Sequence, residues 1–500
     1  MSIQPVWQET LDFFGSPVVL EPSAGQLSSD AGLLPFRQLD ERLGLTHAFA
    51  AVLNDPRDPD LIEHTNREMV RSRVYGILAG YEDQNDHDTL RTDPVFKLIA
   101  GRSPDAPALA SQPTLSRFEN GIDIPSLKRL KDVLIDQFIA SFAQPPRRLT
   151  FDMDAVDDPA HGHQQLTFWH GYYDQNQYLP LFFTCPENDQ FVMLSLRPGH
   201  VHAALGADDD LEYLVHRLRQ VWPDVVIAVR GDSAFGIPRM YAVCERLGLI
   251  YTFGLSANAV LQRHTDELLA QAVAAYQQQQ QAARQAEPPR LAQPSRLFTG
   301  WWYQAGTWDR PRYVVAKAEA NAQGTNRRFV VTNRPGAPLL PTATYDAYVE
   351  RGDSENRNKE IKCGLAMDRL SDHRFCANLF RLYLHVLAMN LLVRLRRLVA
   401  EPMPAEPAAT ALPAAGSTVP PEAQTGAERR RQFRQRRQRD PLGEGHPCTW
   451  RMLVIKVAAE VVVSVRRVVV RLSSSWPHLS WYRQGCARLR GCEEAEAVSG

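Results

Sequence analysis

Arg148-Leu149-Thr150-Phe151-Asp152-Met153-Asp154 is the stretch on which the fold class turns. Successive side chains of an extended strand leave on opposite faces, so Leu149, Phe151 and Met153 share one face and Asp152 and Asp154 the other. The apolar face asks for a core. The other brings two carboxylates to a strand end, with Asp157 and Asp158 following in the loop. Downstream, Tyr178-Leu-Pro-Leu-Phe-Phe-Thr-Cys185 and Phe191-Val-Met-Leu-Ser-Leu196 read as strands. A helix near Asp209 to Trp222, a strand from Val225 to Arg230, a helix from Pro238 and a strand near Leu249 to Gly254 follow. Short connections first and helical ones later predict an α/β core with a mixed sheet.

Outward from this core the pattern changes in both directions. Residues 1–145 read as a helical N-terminal domain, with amphipathic stretches between Asp/Pro-rich breaks. The core is expected over 146–255 and again over 342–400. Between them, 256–341 reads as an insertion: a Gln/Ala-rich helix, then strand-like runs crowded with Trp301, Trp302 and Trp308. Residues 401–449 hold a linker and an arginine run; 13 of the 24 residues from Glu401 to Gln424 are proline or alanine, which favours an extended, flexible chain. The valine-rich segment 450–500 fits strands, though its length also permits a helix.

Composition narrows the class. With 500 residues, 44% of them apolar, the chain has material for several domains and is no small disulfide scaffold. Its seven cysteines are scattered without zinc-like spacing, so a reducing compartment is expected. The N-terminus lacks a signal-peptide pattern, and the apolar stretch Val454–Val470 carries Lys456, Glu460, Arg466 and Arg467, so no membrane association is expected. A net charge of -1 gives no global argument for a polyanion partner, but from Arg429 onward there are 15 Lys/Arg against 6 Asp/Glu. Seven of those arginines lie between Arg429 and Arg439, Arg434 and Arg437 among them, and are expected to add sequence-independent affinity for a polyanion such as a nucleic acid.

Two further signals bear on chemistry. In Val225-Val-Ile-Ala-Val-Arg-Gly-Asp-Ser-Ala-Phe235 an apolar strand ends at Arg230, and Gly231 frees a turn that presents Asp232 at the sheet edge. Tyr348, Arg351, Glu355, Lys359 and Lys362 follow spacings of 3, 4, 4 and 3, which on a regular helix fall within an arc of about 80°. Each signal alone fits a bland structural role: a solvated strand end, a capping aspartate, an ion-paired helix face. Together, two aspartates from separate strands and a later glutamate form the parts of a two-metal phosphoryl-transfer site, whose oxygen ligands select Mg²⁺ or Mn²⁺. Arg351, Lys359 and Lys362 would hold phosphates beside two such ions. Asp152-Met-Asp154 also spells the DxD of metal-dependent glycosyltransferases, a reading that leaves the helical signal unexplained.

At this point the chain resembles bacterial insertion-sequence DDE transposases. Tyr348-x2-Arg351-x3-Glu355-x6-Lys362 matches the Y-R-E-K signature of the clan around insertion-sequence family four, and LTFDMDAVDDPAHGHQQ with VRGDSAF resembles the group numbered thirteen-eighty. The resemblance implies a ribonuclease-H-like core with a β-rich insertion, and a metal-binding catalytic triad of Asp154, Asp232 and Glu355, with Asp152 as a spare ligand. Val156 and Ala234 depart from its commoner threonine and glycine. It further implies binding to terminal inverted repeats, with the helical domain 1–145 binding the DNA end, phosphodiester cleavage and joining of 3′-OH ends to target DNA. A homodimer in the synaptic complex, working in the bacterial cytoplasm at the nucleoid, would handle the two ends. The rival expectation is a catalytically inactive DNA-binding relative. Trp302 is the expected platform for a base displaced near the cut.

Overall fold

The computed structural model describes residues 8–11, 16–22, 24–286, 290–400, 434, 435, 438–443 and 445–499, with side chains through 490. Short strands β1 (Glu9–Leu11), β2 (Val18–Leu20) and β3 (Leu27–Ser28) precede a helical layer. That layer comprises α1 (Leu34–Leu43), α2 (Leu45–Ala51), α3 (Asn66–Ala79), α4 (His87–Leu90), α5 (Pro94–Ala100), α6 (Gln112–Asn120) and α7 (Ile124–Ile139). Next come β4 (Arg148–Ala155), β5 (Asp158–Pro159), β6 (Phe168–His170), β7 (Gln175–Tyr178), β8 (Leu181–Cys185) and β9 (Gln190–Ser195). The chain then alternates through α8 (Ala207–Val221), β10 (Val226–Gly231), α9 (Pro238–Arg246) and β11 (Ile250–Leu255).

The fold is mixed α/β, built on an eight-stranded sheet. Only β4, β10 and β11 run parallel, because α8 and α9 supply the long crossovers parallel strands need. The short β8–β9 connection makes an antiparallel pair on one flank. On the other flank, after α10 (Ala259–Arg263) and α11 (Asp266–Gln285), the strands β12 (Ser295–Tyr303), β13 (Arg312–Asn321) and β14 (Gly324–Thr332) join antiparallel to β11. The segment expected as an insertion, 256–341, therefore shares the central sheet. The tryptophan-rich strands extend the central sheet, because β11 has an unpaired edge whose backbone groups β14 satisfies.

The two faces of the sheet differ as β4 predicts. Leu149, Phe151 and Met153 are fully buried against α7, α8 and α9. The opposite face receives α12 (Pro341–Val349) and α13 (Gly352–Lys359), with Tyr345 packed on Tyr313, Val315 and Val330. Here the expected single helical face is corrected. Tyr348 belongs to α12, Arg351 stands in the turn between the helices, and a π-helical turn spans Glu360–Gly364. Gly352, a poor helix former, follows the turn, and the extra residue in the wider π turn rotates Lys362 out of register with Glu355.

Helix α14 (Phe375–Val399) is long and apolar enough to cross a membrane, yet 89% of its most apolar window is buried inside the protein. A helix apolar all round is what a central position requires. It packs on α3 and β9 and gathers the helical layer around it. The C-terminal segment joins the same core. Strands β15 (Ala459–Ser464) and β16 (Arg467–Leu472) form a hairpin, β15 pairs with β3, and Trp450, Val454 and Ile455 are buried with Phe36 and α14.

Candidate active site

Asp154 sits near the end of β4, and Asp232 is the first residue after the neighbouring parallel strand β10. At Asp232 the turn closes when its Oδ1 accepts the Ala234 N–H at 2.9 Å. Gly254 on β11 lets this turn approach: a Cβ there would lie 2.7 Å from the Ser233 nitrogen and 2.9 Å from the Tyr348 hydroxyl. Glu355 reaches the same region from the first turn of α13.

Arg351 organises the charges. One Nη lies 2.8 Å from Glu355 Oε1 and the other 3.8 Å from Asp154 Oδ2, while its guanidinium lies 5.9 Å from the centre of the Tyr348 ring. Asn358 donates to Asp154 Oδ2 at 2.8 Å. Burial pushes the Asp154 carboxyl up to about 7; Arg351 and Asn358 oppose the rise, and the negative charges of Asp232 and Glu355 add to it. Tyr348 is likewise raised by burial, against the pull of Arg351. Asp154 and Glu355 thus flank one cation supplied by the chain itself, with Asp232 within its electrostatic reach.

The remaining expected residues scatter. Asp152, one pleat deeper on the face of Asp154, is 1% exposed and accepts Arg230 Nε at 2.6 Å and Nη2 at 2.8 Å. Its place as a spare ligand is corrected: the register sets Arg230 directly beside it, and a buried carboxylate needs that partner. Arg230 also donates to the Ala347 carbonyl at 2.7 Å, so the pair fastens α12 to the sheet. Lys362 donates to Asp157 Oδ1 at 2.7 Å and is committed to that loop rather than to a phosphate. Lys359 is exposed, with no ion pair among the described residues. Arg434 is exposed, while Arg437 and most of the arginine run lie outside the described residues.

Trp302 is 66% exposed but stands on the edge strand β12, in register through Tyr313, Thr332, Thr252 and Arg230 with Asp152. Five strand spacings put it roughly 24 Å from β4. That corrects its expected place near the cut. Trp308 is buried edge-on against Tyr241, and Trp301 stacks on His264. Asn358 and Arg230 escaped the sequence reading. Three residues after Glu355, Asn358 shares its helical face, and Arg230 shares the polar face of a strand that was read only for its final aspartate.

Among the described residues no three His, Cys, Asp or Glu side chains already form a cation cage. The donor set still suits a hard divalent cation: Asp154 and Glu355 flank Arg351, Asp232 acts on both Asp154 and Arg351 through its charge, and the buried Asn358 Oδ1 has no hydrogen-bond partner.

No match is found among curated proteins. Among solved structures, a piggyBac transposase synaptic complex with hairpin DNA is similar at 13% identity and a TM-score of 0.37, over 73% of this chain and 74% of that one. The family described as "Transposase DDE domain group 1" matches residues 12–411, and with a match over most of its length the chain belongs to this family of DDE transposases.

Proposed function

We propose that Asp154, Asp232 and Glu355 are the DDE carboxylates of this transposase and that the core around them is ribonuclease-H-like. The observation that carries the assignment is that Arg351 joins Asp154 and Glu355 while Asp232, at the end of the neighbouring parallel strand, bears on both Asp154 and Arg351 through its charge. Asp154, Asp232 and Glu355, joined by Asn358 Oδ1, would hold Mg²⁺ or Mn²⁺. When bound, two such ions supply charge stabilisation for the attacking and departing oxygens of a phosphodiester. Arg351 neutralises the carboxylates in their absence, and its withdrawal leaves a guanidinium to meet the scissile phosphate. Tyr348 limits where Arg351 can go by covering it on one side. The exposed Lys359 ammonium can meet a neighbouring phosphate.

On this reading the substrate is double-stranded DNA. The chain binds the terminal inverted repeats of a bacterial insertion sequence of the thirteen-eighty type, cuts there, and joins the 3′-OH ends to target DNA. It acts as a homodimer at the nucleoid. The test is cleavage of a duplex carrying the inverted repeat that flanks the coding region, with Mg²⁺ or Mn²⁺ and with chelator. Asp154→Ala, Asp232→Ala and Glu355→Ala should each lower cleavage by at least a hundredfold while repeat binding persists. Binding without metal-dependent cleavage by the unaltered chain would instead establish the inactive DNA-binding relative.

A further inference from the structure

The hairpin of β6 and β7 has no role in the site described so far. It runs Phe168-Trp-His-Gly-Tyr-Tyr-Asp-Gln-Asn-Gln-Tyr178, six aromatic or imidazole rings without one lysine or arginine. Its position is secured from both sides. β7 pairs with β5, directly after the end of β4. Gln175 Nε2 donates to Asp157 Oδ2 at 3.2 Å, and Asp157 also accepts Lys362 from the turn behind Glu355's helix. At its base Gly199 presses against the hairpin, where a Cβ would fall 1.8 Å from the Gln177 carbonyl oxygen. The hairpin is therefore anchored to the loop three residues beyond Asp154.

Strand alternation sorts its rings. Phe168, His170, Gln175 and Gln177 share the face turned toward Asp157, and Trp169 points the other way. At the tip the Tyr173 amide bonds back to the His170 carbonyl at 3.1 Å, which turns the Tyr173 ring onto His170, with centroids 5.0 Å apart. Burial raises the Tyr173 phenol to about 12, and the carboxylates of Asp157, Asp154 and Asp232 contribute, so that ring stands within electrostatic reach of the two aspartates. Tyr172 meets Tyr173 edge-on at 5.0 Å and is otherwise 85% exposed. Tyr172, large and exposed, thus projects from a hairpin tip whose inner ring, Tyr173, faces Asp154 and Asp232, and on a segment without a cation it offers a flat surface to a neutral ring rather than a seat for phosphate.

We propose that this hairpin is a nucleobase platform, on which Tyr172, backed by Tyr173, stacks a base unpaired from the strand whose phosphate lies at Asp154 and Asp232. The inference rests on the reading of that triad as the cleavage site. Enzymes that extrude a base hold it by stacking it on aromatic or apolar side chains, and base–aromatic stacking is tolerant of sequence. Tyr172 occupies the place by the cut that Trp302, on the far edge strand, does not.

The test uses the full chain and two oligonucleotide duplexes of the flanking inverted repeat, without divalent cations. One is fully paired; the other is forked and carries 2-aminopurine as the first unpaired base at the repeat end. The unaltered chain should quench the forked probe. Tyr172→Ala should lose the quench and bind the forked duplex about tenfold more weakly, with affinity for the paired duplex unchanged. Tyr172→Phe should restore both, and Trp169→Ala, on the opposite face, should behave as the unaltered chain. Full quenching by Tyr172→Ala, or equal weakening on both duplexes, overturns the platform and leaves the triad assignment standing. If the unaltered chain binds neither duplex, the platform and the reading beneath it both fall.

Discussion

At the residue scale, Asp152 and Asp154 share a strand face and differ in what stands beside them. Asp152 neutralises a buried arginine, so Asp152→Ala should leave Arg230 with only the largely exposed Glu350, 3.2 Å away, as its charge partner and cost about 3 kcal/mol of stability. Asp154 behaves in the opposite sense. Its folded carboxyl titrates at about 7, above its ordinary value near 3.8, so the fold binds more protons than the unfolded chain between those values. Its contribution to stability is full below pH 3.8 and is lost as pH rises to 7. Without divalent cations, Asp154→Asn should therefore raise the melting temperature at pH 8 and change it little at pH 4. A lower melting temperature at pH 8 would show that the carboxylate is structurally required. The placing of Asp154 and Asp232 at neighbouring strand ends was legible because strand ends and a glycine turn are local features. The loss of Asp152 to Arg230 was not, since it depends on the register between β4 and β10.

At the element scale, the same distinction separates what periodicity reveals from what it hides. The alternation in β4 and the apolar run before Gly231 identified two adjacent strands, because burial on one face leaves a period of two in any sequence. The spacing from Tyr348 to Lys362 satisfied a regular helix, and the chain instead breaks at Glu350 and Arg351 and widens at Glu360–Gly364. Tertiary demands override the pattern there: Glu360 must reach the buried Arg396 of α14 at 3.1 Å, while Lys362 bonds Asp157. Helix α14 carries a further consequence, for His385 is fully enclosed in it and burial depresses its imidazole to about 3, with Arg73 and Arg381 adding to the effect. Above pH 6.5 the ring is neutral folded or unfolded and contributes nothing to pH dependence. As pH falls from 6.5 toward 3 only the unfolded chain takes the proton, so stability is lost across that window. His385→Leu should flatten the fall in denaturation midpoint between pH 6.5 and 4.5. An equally steep fall in the variant would place the acid sensitivity elsewhere.

At the scale of the whole molecule, the sheet and helical layer were visible as compositional regions, while their closure by the C-terminal segment was not. β3 and β15 pair from opposite ends of the chain, and no local pattern announces such a pairing. The arginine run between them should lend DNA affinity of purely ionic origin. Deleting residues 429–439 should weaken binding to specific and random duplexes alike and flatten its salt dependence, and an unchanged slope of affinity against salt would remove the run from the interface. The segment beyond the run is asked for something different. Gly32 lies so close to it that a Cβ would stand 1.8 Å from the Val454 carbonyl oxygen, Trp450 packs edge-on against Phe36 at 5.7 Å, and Arg396 donates to the Gly445 carbonyl at 3.1 Å. Removing one buried Trp or Phe side chain typically costs about 3–5 kcal/mol, and here Trp450, Val454 and Ile455 would leave together. A chain ending at residue 400 should therefore melt well below the full chain and be cut by protease within α1 to α3. Deleting only residues 401–433, in which the family match ends at 411, should leave the melting temperature within a few degrees. The comparison separates covering from tethering: if both deletions melt like the full chain, residues 442–461 are passengers on a core complete without them, and if both collapse, the linker is required to bring β15 to β3.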